Sequence, residues 1–450
     1  MATQVKAEAT KTIPTIPELP LVGSLMAYNR DPLDFNLRML NDYGDIVKFH
    51  FGPFPTIMLT SPELVHRVLV EHAYDFDKGP SMHRAFIGNG LFISEGEFHR
   101  QQRKLLAPSF QPRHITSYAD AMVAYGQQMQ QGWQDGMVID IGREMTNLTM
   151  SIAGKVLFDA DVFTEADELG AAMTTVFSFI NYSLSHLFPI PMNWPVPRSN
   201  RARKAMTILY NRIQKMIDER RVSGKERNDF LSVLLESRDE DGRGMSDEQI
   251  HDEALTLFGA GHETTATALT WVWYLLAQHP AVYDRMIQEV DSVLQGRRPT
   301  YADLVKLPYT LQVLKETMRL YPPAYALARA ALHDIDIGGY PIRKGNGVFI
   351  SIYAIHRRAE FFPNPDKFDP ERFTLENEKR LPRYAYIPFG AGSRICIGNH
   401  FALMEGHLLL AALAQHVRLT LVAGQNPLPD LSKTISLRPD KNIRMVVHRR

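Results

Sequence analysis

A long helical segment between residues 246 and 280 sets the dimensions of any fold that this chain can adopt. Ser246 and Gln249 form the S-x-x-Q pattern of a capping box, which predicts a helix start at Ser246. Pro280 predicts its end. A helix of about 33 residues would be about 50 Å long, enough to cross a large domain. The rest of the protein must be built around it.

The same segment comes nearest to a membrane span. Residues 255–277 are apolar but carry His262, Glu263 and several threonines, and a central Glu disfavours insertion by roughly 2–3 kcal/mol. The first twenty residues are polar and then proline-rich, without the apolar core of a signal peptide or an anchor. We therefore expect a buried helix and a soluble protein.

Composition excludes several classes of protein. The 450 residues carry 50 basic and 50 acidic side chains, so no excess of positive charge points to nucleic acid. Cys396 is the only cysteine, which excludes an intramolecular disulfide framework and fits a reducing compartment. A hydrophobic content of 45% is ordinary for a protein with a large core.

Helical patterning dominates from residue 61 to about residue 327, and strand patterning is confined to shorter stretches. The stretches DIVKFHFG, GPFP and TIMLT, within residues 45–60, predict a hairpin, and the tail motifs ISLRP and IRMVVHRR predict a closing β-ribbon. The charged run at residues 218–229 is interpreted as a solvated loop. The predicted fold class is mainly α with a minor β lobe, in one domain over residues 1–450 whose first twenty residues are flexible.

Cys396 lies in the stretch FGAGSRICIGNHFA, residues 389–402. A lone cysteine is most often a small buried hydrophobe. Zinc is disfavoured because the chain has no second cysteine and no nearby His pair, and nothing in the loop specifies a base for a nucleophile. Gly392 and Gly398 permit close approach of a bulky group. The following helix directs its N-terminus at Cys396 and favours a thiolate, which suits a haem iron.

This stretch matches the FGxGxRxCxG haem-binding signature, and the chain therefore resembles the cytochrome P450 family. Four further motifs, in the family's order, extend the resemblance over nearly the whole chain. It implies the P450 fold, with a long central helix over the haem, and haem b (iron protoporphyrin IX) as the cofactor. It also implies Cys396 as the axial iron ligand, and it places Phe389 and Arg394 at the haem.

The motif AGHETT, residues 260–265, interrupts the long helix with small and polar residues. Gly259 and Gly261 cost roughly 1 kcal/mol each against alanine, and Thr264 can bond back to a carbonyl one turn earlier. A notch for helix packing is one reading, and a groove for a proton relay is the other. The motif resembles the family's oxygen-activation site, which implies catalytic roles for Thr264 and for Glu263, the latter in bringing protons from solvent.

Two further motifs concern haem retention and stability. In KETMRL, Glu316 and Arg319 are three apart, and an exposed ion pair there would contribute only tenths of a kcal/mol. The family resemblance instead implies a buried pair joined by Arg372 of the PERF motif. That role is structural.

The stretch EGEFHRQQRKLL carries two basic stripes. His99 and Arg103 share one helix face, whereas Arg100 and Lys104 share a neighbouring one. On its own this pattern describes a solvated basic helix. The resemblance implies that His99 and Arg103 bond a haem propionate, as do Arg329 and Arg394, because a guanidinium can clamp a carboxylate.

The reaction implied is monooxygenation of a lipophilic small molecule such as a fatty acid, terpenoid or steroid. Electrons would come from a separate ferredoxin or flavodoxin with its reductase. A soluble family member without an anchor resembles the prokaryotic P450s, which implies a cytoplasmic location. The rival readings are a haem-thiolate peroxygenase or isomerase, which the intact Glu263–Thr264 pair disfavours, and a haem-binding sensor without turnover. Ordinary core packing is the alternative interpretation of the residues predicted to form the walls of the substrate pocket, which are Phe86, Phe92, Phe179, Phe258, Ala260, Ala324, Leu327 and Ile435.

Overall fold

The computed structural model describes residues 11–79, 88–186, 190–223, 229–238, 242–431 and 435–450. These residues belong to two compact units. The sheet unit comprises Met1–Ser81, Tyr325–Pro365 and Leu381–Cys396, and the helical unit comprises Met82–Ala324, Asp366–Arg380 and Ile397–Arg450. The interpretation of the chain as one domain stays a prediction, as does a flexible segment at residues 1–20.

Helices predominate, and short strands occur in both units. In chain order the helices are α1 Leu25–Arg30, α2 Pro32–Tyr43, α3 Pro62–His66, α4 Gly96–Leu106, α5 Pro112–Ile115, α6 Ala119–Gln131, α7 Ile141–Phe158, α8 Ala166–Leu184, α9 Pro197–Ser223, α10 Phe230–Glu236, α11 Asp247–Gln278, α12 Pro280–Leu294, α13 Pro308–Leu320, α14 Ile352–Ile355, α15 Leu375–Arg380 and α16 Asn399–Ala414. The strands are β1 Ile46–Phe51, β2 Phe54–Leu59, β3 Phe76–Asp77, β4 Val138–Asp140, β5 Ala326–Ala331, β6 Ile335–Ile337, β7 Tyr340–Ile342, β8 Gly347–Ser351, β9 Val417–Leu421, β10 Pro429–Asp430, β11 Arg438–Pro439 and β12 Arg444–Arg449. The predicted fold class, mainly α with minor β, is confirmed.

The sheet unit is built on a five-stranded sheet in the order β1-β2-β8-β5-β3. The predicted hairpin of β1 and β2 is antiparallel, with Ile46 opposite Leu59. Strand β8 then pairs parallel to β2 and antiparallel to β5. Apolar residues on alternate positions of these strands, such as Ile57, Leu59 and Ile350, are buried in one core cluster.

The helical unit is organised around α11. The side chain of Ser246 accepts a hydrogen bond from the Gln249 N–H at 3.2 Å, and the next helix starts at Pro280, as the sequence predicts. Nearly every residue from Ile250 to Leu276 is buried. Helix α7 packs along α11, and Thr149 donates a hydrogen bond across the contact to the carbonyl of His262 at 3.0 Å.

Two expectations about local structure were wrong. The charged run at residues 218–229 is not simply a solvated loop, because it includes the end of α9 and a buried ion pair between Arg220 and Asp229. The guanidinium of Arg220 also donates to the carbonyl of Phe158 at 2.9 Å, so the pair satisfies a helix end.

The two tail motifs also do not form one ribbon. Strand β11 pairs with β10, whereas β12 pairs with β9 and β4 in a separate three-stranded sheet.

Candidate active site

The Cys396 loop in the sheet unit folds back on itself. A short 3₁₀ turn covers Gly392–Arg394, and the Cys396 N–H donates to the carbonyl of Phe389 at 2.9 Å. Cys396 is exposed, although a lone cysteine is usually buried. Phe389 and Arg394 are half-buried beside it in the chain. The loop therefore presents its only sulfur outward.

Gly392 is required for a reason that the sequence does not reveal. Its φ is +72°, and a Cβ at this position would lie 1.8 Å from the carbonyl oxygen of Leu69. The expected close approach thus exists, but it is to the chain after α3. Gly398, by contrast, has a φ of −91°, which any residue adopts.

Strand β5 brings two further predicted residues to the same loop. Leu327 and Arg329 are two apart on this strand, so they share one face of the sheet. A Cβ at Gly390 would lie 3.4 Å from Leu327 Cδ1, which places β5 beside the loop. Arg329 donates to the neighbouring carbonyl of Ala328 at 2.8 Å.

In the helical unit, α4 separates its two basic stripes as the sequence predicts. His99 is buried and Arg103 is half-buried, whereas Arg100 and Lys104 are exposed. Arg100 forms an ion pair with Glu97 on the same helix. Only the His99–Arg103 stripe is therefore turned toward the interior.

Helix α11 has a strip in its middle that is uncovered although the flanking positions are buried. Ala260 is exposed and Gly261 and Thr264 are half-exposed, between Phe258 and Thr265, which are buried. The hydroxyl of Thr264 donates to the Ala260 carbonyl at 3.0 Å, which is the predicted bond to the preceding turn.

The two glycines of α11 differ in how closely neighbouring helices pack on them. A Cβ at Gly259 would lie 3.3 Å from side-chain atoms of Met173 and Phe177 on α8. A Cβ at Gly261 would face Leu157 and Ala153 on α7 at ordinary contact distance. The contacts support a packing notch at Gly259, whereas Gly261 has room for a Cβ.

Glu263 is held by two residues that sequence reasoning missed. Ser436 donates its hydroxyl to Oε1 at 2.6 Å, and Arg438 forms an ion pair with Oε2. Ser436 in turn bonds the hydroxyl of Thr267, one turn along α11, at 3.2 Å. A cavity of about 350 Å³, lined in part by Thr267, Thr270 and Arg438, lies beside this pair.

The Glu316–Arg319 pair is buried. Arg319 donates from Nε and Nη2 to the two carboxylate oxygens at 2.7 and 2.8 Å, and both side chains are fully buried. Arg372 approaches Oε1 at 3.4 Å, and the Asp369 N–H donates to the same oxygen at 2.9 Å. Burial raises the pKa of Glu316, and its bonds with Arg319 oppose that shift. An exposed surface pair is excluded.

The predicted pocket residues differ in their surroundings. Phe179 and Phe258 are buried in the main core cluster, and Phe258 packs edge-on against Phe158. Phe92 and Ile435 are exposed, and Ala324 is half-buried. Phe86 lies outside the described residues.

The donor set fits a haem. The sheet unit offers one exposed thiol in a glycine-bracketed loop, and thiolate is a known iron ligand. Arg394 lies in the same loop, and Arg329 lies on the neighbouring strand β5. The helical unit offers an inward His99–Arg103 stripe of the kind that carboxylates bind, and a strip of small residues beside Thr264. When bound, haem supplies the oxidative chemistry on O₂.

A helix-dominated fold with one exposed thiol in this loop fits a haem-thiolate protein. The family model for Cytochrome P450 matches residues 13–447, and the chain belongs to that family. It is 37% identical to Cyclooctatin synthase of Streptomyces melanosporofaciens, over 92% of each chain. It is 34% identical to Pentalenene oxygenase of Streptomyces avermitilis, over 89% of this chain and 90% of the relative.

A solved structure supports the same conclusion. A retinoic acid-bound cyanobacterial CYP120A1 superposes with a TM-score of 0.88 at 28% identity, covering 98% of this chain and 100% of the other. The protein is accordingly a haem b monooxygenase that inserts one oxygen atom from O₂ into a lipophilic small molecule, with electrons from separate redox proteins. Among the described residues, no helix is long and apolar enough to cross a membrane.

Proposed function

We propose that this monooxygenase oxidises a cyclic terpenoid olefin, either the hydrocarbon or an alcohol derived from it. The observation that carries the proposal is the similarity to Pentalenene oxygenase and to Cyclooctat-9-en-7-ol 5-monooxygenase, at 34% and 37% identity over about nine tenths of the chain. The names of both enzymes denote oxidation of an unsaturated skeleton. The exposed apolar side chains of Phe92 and Ile435 would suit such a substrate.

Cys396 is proposed as the axial ligand of the haem iron, with Phe389 packed at the haem. His99, Arg103, Arg329 and Arg394 are proposed to hold the propionates. The support is chemical: one exposed thiol in its glycine-bracketed loop, and cationic side chains that carboxylates bind.

Glu263 and Thr264 are proposed to deliver protons. Both carboxylate oxygens of Glu263 accept hydrogen bonds, one from Ser436 and one from Arg438, and these bonds fix the position of the carboxylate beside α11. The cavity lined by Thr267 and Arg438 offers water a place on that side of α11. Thr264 then presents its hydroxyl on the uncovered strip.

The electron donor is proposed to be a ferredoxin or flavodoxin with its reductase. Arg100 and Lys104 are exposed next to the inward stripe of α4, where acidic side chains of such a partner can reach them. The lone cysteine fits a reducing compartment and supports a cytoplasmic location.

A spectral titration tests the substrate class. Pentalenene and dodecanoic acid are each titrated into the oxidised holoenzyme while the haem Soret band is recorded, and products are then analysed with a ferredoxin system. We expect pentalenene to shift the band and to yield a product with one added oxygen atom. Binding and oxidation of dodecanoic acid alone would contradict the proposal.

A further inference from the structure

The segment Gly88–Ser94 in the helical unit is attached to α11 by two adjacent carboxylates. The Asn89 N–H donates to Asp252 Oδ2 at 2.7 Å, and the Leu91 N–H donates to Glu253 Oε2 at 2.9 Å. Backbone amides bound to carboxylates are among the stronger hydrogen bonds in proteins. We call Asp252 and Glu253 the carboxylate clamp.

The glycines of the segment allow the backbone to approach this closely. Gly88 has a φ of +69°, and a Cβ there would lie 2.0 Å from Asp252 Oδ1. A Cβ at Gly90 would lie 2.3 Å from the hydroxyl of Thr256, one turn further along α11. Any side chain at either position would push the segment away from the helix.

Attachment through Glu253 has a cost in folding free energy. Its side chain is fully buried, and burial raises its pKa to about 7. Its Oε1 atom has no hydrogen-bond partner among the described residues. A buried and half-satisfied carboxyl group destabilises a fold compared with an apolar side chain of similar size. Its presence is better explained by the position that it imposes than by stability.

Glu253 of the clamp lies on the face of α11 that carries the uncovered strip. At 100° per residue, Ala260 and Thr264 are 7 and 11 residues beyond Glu253, and both therefore fall within about 20° of its direction, whereas Asp252 lies about 100° from Glu253. Along the helix axis Thr264 is about 16 Å from Glu253. Through Glu253, the segment Gly88–Ser94 is thus attached to the same face that carries the uncovered strip.

The segment also leads into α4. Phe92, with 47% of its surface exposed, follows directly after the clamped Leu91. Gln102 of α4 donates its side-chain amide to the Asn89 carbonyl at 3.4 Å, so α4 is tied to the same point. A shift of the clamp would therefore move both Phe92 and the helix that carries His99.

We propose that Asp252 and Glu253 are positioning residues that fix the substrate-pocket wall at Phe92 over α11, and thereby select the carbon atom that is oxidised. This inference rests on the proposed function for the location of the pocket. It assigns a selectivity role to two residues outside the set proposed to hold the haem.

The test compares Glu253→Ala with Glu253→Gln in the holoenzyme, with Glu248→Ala as control because Glu248 is exposed on the same helix. Hydrogen exchange of a peptide covering residues 88–94 is measured first. We expect exchange to accelerate at least tenfold in Glu253→Ala and little in Glu253→Gln, whose amide oxygen still accepts the Leu91 N–H.

Product ratios are measured on the same variants with pentalenene and, separately, with dodecanoic acid, which offers several oxidisable carbons. We expect the ratio of products to change at least threefold in Glu253→Ala only, while the carbon monoxide spectrum stays unchanged. Unaltered exchange and product ratios in Glu253→Ala would overturn the inference. A native enzyme that oxidises dodecanoic acid but not pentalenene would contradict the proposed substrate class and leave this comparison intact.

A second route avoids removing the buried carboxyl group. Gly88→Ala is compared with Gly96→Ala, because Gly96 has a similar φ of +60° and open space around it. We expect a larger effect on exchange at Gly88, and a smaller one when Asp252→Ala has already removed the clashing carboxylate. Equal effects of the two alanines, in both backgrounds, would also overturn the inference.

Discussion

Glu263 shows how one side chain of α11 depends on partners far away in the sequence. Its carboxylate is fixed by Ser436 and Arg438, which are 173 and 175 positions further on. Thr264, its neighbour, lies about 100° further around the helix on the uncovered strip, and its hydroxyl donates to the Ala260 carbonyl. The two adjacent residues thus have different surroundings, and we propose different roles for them.

Thr264→Ala should divert reducing equivalents into hydrogen peroxide. A positioned proton donor typically contributes 10²–10⁴-fold to a rate, so its loss should favour the unproductive branch. Product formed per electron pair consumed should fall, while substrate binding and the carbon monoxide spectrum persist. Thr175→Ala is the control, because Thr175 makes the same bond to the preceding turn on α8. Full coupling in Thr264→Ala would mean that Thr264 only packs.

Glu263→Gln tests whether Glu263 and Thr264 have different roles in proton delivery. The amide keeps the hydrogen bond from Ser436 but cannot carry a proton, so turnover should slow by roughly 10²-fold without a matching rise in peroxide. Coupling and turnover are measured together for this purpose. Peroxide release equal to that of Thr264→Ala would contradict separate roles.

The two faces of helix α4 are proposed to have different functions. Spacing places His99 and Arg103 on one face and Arg100 and Lys104 on another, and the structure shows His99 buried and Arg100 exposed. The inward stripe is proposed to hold haem, and the outward stripe is proposed to meet the electron donor. The helix therefore predicts two phenotypes that can be separated.

The double variant His99→Ala/Arg103→Ala should lose haem, because two propionate contacts disappear together. Arg100→Ala/Lys104→Ala should keep haem and instead slow reduction by ferredoxin, with a weaker dependence on salt. Haem content is measured by absorbance per mole of protein after gel filtration. Equal haem content in the two double variants would contradict the assignment.

Buried carboxyl groups recur in the helical unit, and Glu405 of α16 is the extreme case. Its side chain is buried, with the hydroxyl of Thr265 on α11 as a partner and Oε2 without a partner among the described residues. Burial raises its pKa from 4.5 to about 8. The native state therefore holds a proton at neutral pH that the unfolded chain releases.

The free energy of unfolding should therefore decrease as the pH rises. Below about pH 4.5 both states are protonated, and the stabilising contribution is complete. Between pH 4.5 and 8 the free energy of unfolding should fall by at most about 1.4 kcal/mol per pH unit through this group. Glu405→Gln should flatten the curve measured by urea unfolding from pH 5.5 to 8.5, whereas exposed Glu376→Gln should not. Identical slopes in Glu405→Gln and native protein would contradict this account.

Much of the fold could be predicted because its signals are local. The hairpin at residues 46–59, the limits of α11 and the two stripes of α4 depend on spacing within a few turns or strands. The family resemblance supplied the pairing of Glu316 with Arg319 and Arg372.

What could not be predicted depends on contacts between distant segments. Nothing near Gly392 indicates that the Leu69 carbonyl will occupy the space of its side chain, and nothing near Glu263 indicates Arg438. The interpretation of residues 218–229 as a solvated loop was wrong for the same reason, because the buried ion pair between Arg220 and Asp229 depends on tertiary structure.

The central claim is that Cys396 binds the haem iron as a thiolate, and one spectrum tests it. Carbon monoxide added to the reduced protein should give the strongly red-shifted Soret band of thiolate ligation. Cys396→His should bind haem without that band, because imidazole donates less charge to the iron. A Cys396→His protein that keeps the red-shifted band would contradict the account.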